Sequence, residues 1–543
     1  MKKILTLCLT MLFGLSVLQL GAQTRYLDEV FSAVTVTADT TYQTNYSIFP
    51  LIAQVPGVTG PVPVSKQMDI YEPTGDTVSQ RPLLILSHNG TYFPAIVNGT
   101  FNGNRKDSLL VELATRYAKM GYVVATVDNR LGWFLTAPIE TQRKTILEAT
   151  YRAIQDLRTS IRFFRKSAAE DGNTFKIDPD KVALGGSGTG GYLTYAAAFL
   201  RDFDQLLLRK FTDFSDPMDP VPYVDTLQLG DIYGVDSALF NIPHYPTYSS
   251  DFTVGFCLGG ALGDSSWVRP GGPAIMGIQS PDDQFAPFNL EDVLEPINNL
   301  SVIDTAAGAF AVITQAQKMG VNDVWKDVVW KDPFNQKVGT DLINAGWGDL
   351  DGLYPLSGPY TPCSSQCITT IPNAPADTCA PGNAPYDWID SLTFAVGYDM
   401  GNNPITGAER YCQLTLDNPN DPAVARTYID SIVGYVSPRM ALALGIVEAS
   451  DVSFGTSIEE NLLRGRIGIY PNPARDRIIV AQKETVTSLD EVVLMDITGK
   501  VLQRFTNVNE RQLTISRNNL PSGMYLIQVR DDNAAFSEKI LFE

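Results

Sequence analysis

Apolar and polar positions along the first 450 residues follow two rhythms. Runs that are apolar almost throughout, at 82–87, 122–127, 182–184, 252–258 and 273–278, are mostly bounded by Gly, Pro, Asn or Asp and read as buried strands. Between them apolar residues recur at helical spacing. Leu109, Leu110, Leu113, Ala114 and Tyr117 mark a helix over 107–119; Ile146, Ala149, Ala153, Ile154, Leu157, Ile161 and Phe164 mark a longer one. A small-residue helix is predicted over 193–200, another helix over 305–318, and a closing one over 423–445. Val34 to Thr37 alternates as an edge strand would, and 68–73 predicts a further strand. Strands alternating with helices call for a mainly parallel sheet flanked by helices, an α/β fold. From Ile467 the rhythm changes to period-two runs between turns such as Thr498-Gly499 and Ser522-Gly523, which predicts a small all-β sandwich.

The stretches outside this pattern divide the chain. Residues 1–22 hold Lys2 and Lys3, an apolar run from Ile4 and the small-residue site Leu20-Gly21-Ala22, the pattern of a secretory signal peptide. The α/β domain is expected over 23–450, with a Pro- and Asp-rich insertion at 201–250 in the position of a lid and a Cys-rich loop at 356–385. Residues 451–465 have linker character, and the β domain follows over 466–543. No stretch after the signal is apolar for long enough to span a bilayer. Export permits disulfides. Cys8 leaves with the signal and Cys257 reads as a buried free thiol, while Cys363, Cys367, Cys379 and Cys412 make up to two bridges, in one of three pairings.

A net charge of −19 over 543 residues argues against nucleic acid or an anionic membrane as partner. The spaced acids Asp213, Asp216, Asp219 and Asp225 lack the glycine turn and closing glutamate of a calcium loop. The loop cysteines lack the paired C-x-x-C knuckles of a zinc site. No metal and no cofactor is expected. Histidine is scarce: any scheme that needs imidazole must use His88 or His244.

The candidate chemistry centres on residues 181–193, KVALGGSGTGGYL, a strand that enters a glycine cluster and leaves as a helix. The stretch resembles the IALxGDSAGGxL pattern of carboxylesterase/lipase-type α/β-hydrolases, in which the nucleophilic serine sits on a sharp strand-to-helix turn. Two registers are open. With Leu184 and Leu193 matched, Gly186, Gly190 and Gly191 take the pattern's glycines and Gly188 stands where the nucleophile belongs. With residues 185–189 matched to G-x-S-x-G instead, Ser187 is the nucleophile, and β-branched Thr189 falls where glycine serves close packing. MDIYEP at 68–73, DNRLG at 128–132 and IDPDK at 177–181 resemble further segments of this family, with Asp128 and Arg130 expected to be structural. His88-Asn89-Gly90-Thr91 resembles the family's HGGG loop, which implies an oxyanion hole of Asn89, Gly90 and Thr189, with His88 orienting the loop. The segment from Gln279 to Pro287 resembles the one that supplies the triad acid, which implies Asp283, with Gln279 in place of a family histidine. No histidine follows Asp283, so the order Ser…Asp…His cannot be completed.

Residues 467–543 resemble the type A C-terminal sorting domain of type IX secretion through IGIYPNPARDRIIV, VVLMDITGKVL, LPSGMYLIQV and EKILFE. This implies the outer-membrane translocon as a partner, and a product secreted from, or attached to, the surface of a Gram-negative bacterium. The two resemblances imply a secreted, carboxylesterase-like α/β-hydrolase that has lost both reacting members and acts by binding an ester, glycan, lipid or protein ligand. The alternative is an active serine esterase with Ser187 as nucleophile, His244 from the insertion as base and Asp283 as acid.

Overall fold

The structure, a computed structural model, describes residues 25–94, 98, 102–216, 218–283, 285–295, 299–348, 350–357, 384–388, 398–399, 404–405, 422–453, 466–482, 489–496, 500–508, 510–531 and 535–542. The expected signal peptide, the four loop cysteines and most of the expected linker lie outside these residues. Two compact units divide the chain, one of 1–326 with 337–447 and one of 327–336 with 448–543.

In the first unit the main strands are β1 (Val34–Ser47), β2 (Val62–Pro73), β3 (Arg81–Ser87), β4 (Val123–Val127), β5 (Ile177–Ser187), β6 (Val254–Leu258), β7 (Ala274–Gln279), β8 (Leu290–Leu294), β9 (Ser301–Ala307) and β10 (Leu353–Pro355). The main helices are α1 (Ser108–Met120), α2 (Ile139–Glu170), α3 (Thr189–Phe199), α4 (Ala309–Lys318) and α5 (Pro422–Ala443). Eight strands form one sheet in the order β1-β2-β4-β3-β5-β6-β7-β10. β1 and β2 run antiparallel at one edge, and the strands from β4 to β10 pair in parallel. This is the α/β-hydrolase topology. β3, β4, β6 and β7 are buried along their whole length, which explains their continuous apolar runs: helices cover both faces of a parallel sheet.

Because β3 lies between β4 and β5, the connections leaving β3 and β5 part at their carboxyl ends, where open α/β sheets form a crevice. His88 and Asn89 leave β3 at this point, and Gly188 leaves β5.

The 201–250 insertion is not a lid over the crevice. Its residues 229–233 and 244 lie along α2, whose buried polar side chains hold them through their carbonyls. Tyr151 donates to Gly230 O at 2.9 Å, Gln155 to Leu229 O and Asp231 O, Arg158 to Ile232 O, and Arg162 to Tyr233 O and His244 O. The cover comes instead from the β8–β9 hairpin. That hairpin also accounts for the later start of the helix expected at 305: residues 301–307 pair with β8 before α4 begins.

The second unit holds β11 (Ile467–Tyr470), β12 (Arg477–Gln482), β13 (Leu489–Asp496), β14 (Val501–Val508), β15 (Gln512–Ser516), β16 (Gly523–Arg530) and β17 (Ala535–Phe542). They form antiparallel sheets of order β11-β12-β15 and β14-β13-β16-β17, which share a core of Ile478, Leu494, Ile515, Ile527 and Phe542 among others. The motif residues have structural jobs here. Asn472 of PNP bonds Lys539 O and Leu541 N, Asp496 accepts from Lys500 N, the last residue of the D-x-x-G-K segment, and Tyr525 donates to Pro521 O.

Candidate functional site

Gly188 carries the turn between β5 and α3 with φ +50° and ψ −112°, a conformation strained for any residue with a side chain. Its N–H donates to Leu258 O at 2.8 Å, and its carbonyl accepts from Tyr192 N at 3.1 Å. The glycines that follow let α3 approach the sheet ends. A Cβ on Gly190 would lie 2.1 Å from Ser87 O, and one on Gly191 would lie 1.9 Å from Gly259 O. Ser187 is still in the strand, paired with Leu258. Position 188 therefore occupies the tip of the turn, and Ser187 precedes it.

The space at the tip is filled. A Cβ on Gly188 would meet Asn89 Oδ1 at 2.2 Å and Asn89 Cγ at 2.4 Å. That same Oδ1 accepts from Thr189 N at 3.1 Å and from Thr189 Oγ1 at 3.3 Å, while Thr189 Oγ1 accepts from Thr91 N at 2.8 Å. The structure thus brings Asn89 and Thr91 to Thr189. It also engages the Thr189 N–H with a carbonyl oxygen of the protein itself, where an oxyanion would need that donor.

The expected acid is at the pocket. Asp283 Oδ1 accepts from Phe285 N at 2.8 Å and Ala286 N at 3.1 Å, while Oδ2 receives a long 3.4 Å contact from Gln279 Nε2. Gln279 replaces the family histidine as a staple. It donates to Ala286 O and Pro287 O and accepts from Ala309 N, joining the acid loop to the start of α4. Burial pushes the Asp283 carboxyl up to about 6, against the opposing pull of those hydrogen bonds. The sign follows directly. The folded state disfavours the ionised form, so the penalty is absent below the ordinary pKa near 3.8 and complete above about 6. Asp283→Asn is therefore expected to stabilise the protein in urea unfolding at pH 8 and to leave it unchanged at pH 3.5. Equal stabilisation at both pH values would contradict this account.

His244 does not reach the site. Its Nε2–H donates to Thr44 O at 2.9 Å, on β1. β1 is four strand spacings from β5, about 19 Å at the usual separation. The insertion that was to carry His244 inward is tied down by α2, so the Ser187–His244–Asp283 set is not assembled. His88 is buried beneath the loop with Nδ1 against Asn89 O, and burial pushes its pKa down.

A residue without a sequence signal stands between the other two. Tyr386 lines the same pocket as Ser187 and Asp283. A Cβ on Gly259 would lie 3.5 Å from Asp283 Oδ2 and 3.8 Å from the Tyr386 hydroxyl, so both polar groups face the same glycine. Burial first, then the charges of Asp387 and Asp283, push the Tyr386 hydroxyl well above its ordinary range. It stays protonated and is no base near neutral pH.

These groups open into a cavity of about 260 Å³ under the β8–β9 hairpin. Its aromatic wall comprises Tyr92, Phe93, Trp133, Tyr192, Phe285 and Tyr386. Trp133 is held by a bond from Nε1 to Thr91 O at 2.9 Å. Asn98, of the Asn98-Gly99-Thr100 sequon, spends its amide on Gly90 O, Phe93 O and Asn102 O and so brackets the loop after β3. A larger, open cleft of about 740 Å³ lies between the insertion and the start of α2. Several of its charges are already paired, Lys210 with Asp264 and Arg143 with Glu140 and Asp304.

Among the described residues no helix is long and apolar enough to cross a membrane, and no group of His, Cys, Asp or Glu is arranged to hold a metal ion. Cys257 is free and buried in β6.

Comparison with known proteins gives two family matches. Residues 68–219 match the family described as BD-FAE, and residues 468–543 match the secretion system C-terminal sorting domain. No curated protein matches. Among solved structures, esterase 2 of Thermogutta terrifontis phosphorylated by paraoxon is similar at 16% identity and TM-score 0.26, over 48% of this chain and 74% of that one. A truncated carbohydrate esterase from gut microbiota is similar at 15% identity and TM-score 0.28, over 54% of this chain and 86% of that one. The chain thus joins an esterase-type α/β-hydrolase domain to a type IX sorting domain, and the protein is secreted or held at the cell surface.

Proposed function

We propose that this secreted hydrolase-like protein binds a ligand in the elbow pocket and does not hydrolyse it. One observation carries the reading: the Asn89 side chain occupies the slot above Gly188 and takes the Thr189 N–H. Acyl transfer needs a nucleophile in that slot and an unoccupied donor beside it. The surroundings agree. The hydroxyl next to Ser187 belongs to a tyrosine that holds its proton, and the lone candidate imidazole of the insertion is bonded to β1. Without nucleophile and base, binding and residual polar contacts leave little catalysis. The sorting domain delivers this binder outside the cell.

The purified chain is expected to give no turnover of p-nitrophenyl acetate or butyrate above buffer, and no labelling by a fluorophosphonate probe. Labelling that disappears in Ser187→Ala would overturn the reading and establish Ser187 as a working nucleophile.

A further inference from the structure

The wall of the elbow pocket is one-sided in charge. Two carboxyl side chains line it, Asp283 and the almost fully buried Glu295, and among the described lining residues there is no Lys, Arg or His. Two arginines of neighbouring segments have carboxylate partners of their own. Arg105 is clamped by Asp39, Asp69 and Asp128, and Arg130 by Asp156. The remaining wall is largely apolar, with six aromatic side chains among it.

On the reading of this pocket as a binding site, we propose that its ligand is a small primary ammonium with an aromatic or apolar body, and that carboxylates are rejected. Asp283 fixes the place of the ammonium. Its Oδ1 already accepts two backbone N–H groups, whereas Oδ2 has only the long Gln279 contact and faces the open side of Gly259. A carboxylate oxygen has more than one acceptor site, so Oδ2 retains capacity for a donor from the cavity. A charge-assisted N–H···O bond at that position forms in a partly enclosed site, where attraction is stronger than at an open surface. Aromatic faces around the same space add the quadrupole attraction that favours cations.

The same wall works against anions. A bound carboxylate would meet the Asp283 carboxyl and, among the described lining residues, no base, and the Thr189 N–H is engaged by Asn89. The volume sets the size. At about 30 Å³ per water, 260 Å³ holds roughly nine waters, so the body is at most about one ring with a short chain. Phe285, 73% exposed, stands at the mouth, and its carbonyl accepts from the Tyr192 hydroxyl at 3.1 Å, which joins the rim to α3.

Calorimetric titration of the full chain at pH 8 with three matched probes tests this: 2-phenylethylamine, 2-phenylethanol and 3-phenylpropionate. The amine is expected to bind at least about tenfold more tightly than the carboxylate, with the alcohol between them. Asp283→Asn is expected to weaken the amine about tenfold and to leave the alcohol within about twofold, with urea unfolding showing that the variant is folded. Carboxylate binding equal to or tighter than the amine, amine affinity unchanged in Asp283→Asn, or no binding of any probe would overturn the ligand assignment. Turnover of phenyl esters measured alongside would overturn the binder reading itself, whatever the order of the three affinities.

Discussion

Asp156→Ala is expected to destabilise the α/β unit by about 3–5 kcal/mol, the usual loss when one partner of a buried ion pair is removed. Asp156 lies in the middle of α2 and is fully buried. Its Oδ1 accepts from Arg130 Nε at 2.7 Å and from Gln43 Nε2 at 2.6 Å, and its Oδ2 accepts from Arg130 N at 2.6 Å. Arg130 is equally buried, so truncating the acid leaves a guanidinium without a counter-charge in a site that water does not reach. Gln155 Oε1 and Arg152 O still accept from Arg130, but neither carries charge. Since a domain is held by about 5–15 kcal/mol in all, this is a large share. Urea unfolding followed through the far-ultraviolet signal of the α/β unit measures it. Asp156→Asn keeps the acceptor and loses the charge, and should fall between wild type and alanine. A loss below about 1 kcal/mol for alanine would mean that Arg130 finds another partner. The effect should also reach the pocket, because Arg130 holds the turn that leads to Trp133.

That pair shows what was legible in the sequence and what was not. The DNRLG segment and the apolar stripe of α2 could each be located by pattern, and both charges of the segment proved structural. Their partners could not be located, because Asp156 and Arg105 are joined to them only by the fold. The sheet was legible for a physical reason: strands covered on both faces must be continuously apolar. The elbow was legible because close approach admits only glycine at 190 and 191, and this fixes the register that puts Gly188 at the tip. The lid was misjudged because an insertion's composition does not say what its carbonyls bond. Here they satisfy Gln155, Arg158 and Arg162 on α2, and His244 goes with them to β1. Tyr386 carries no sequence signal because it lies just past a stretch marked only by its cysteines, far in sequence from Ser187. Asn89 was seen as a departure from a glycine pattern, but its role depends on where its amide points. A side chain that occupies its own protein's donor is visible only in three dimensions.

That role of Asn89 gives the second large effect, a double-mutant cycle at positions 89 and 188. Gly188→Ala alone is expected to cost about 1–3 kcal/mol for placing a Cβ at the strained φ and ψ of the turn. A further cost of about 1–3 kcal/mol arises because Asn89 must swing out of the slot and leave the Thr189 N–H unpaired. Asn89→Gly alone gives up the same hydrogen bonds and should cost a similar second amount. The double variant has no asparagine to displace, so it should be more stable than the sum of the singles predicts, by about 1–3 kcal/mol. Additivity within about 0.5 kcal/mol would show that Asn89 does not fill the slot. The cycle also separates occupancy of the slot from chemistry. Gly188→Ser combined with Asn89→Gly puts a hydroxyl at the tip and releases the Thr189 donor, and it is still expected to give no ester turnover. The group beside Ser187 would remain a protonated tyrosine, and Asp283 would have no imidazole to orient. Turnover by that double variant would show instead that the missing base matters less than the closed slot, and that refilling position 188 is enough to restore an esterase.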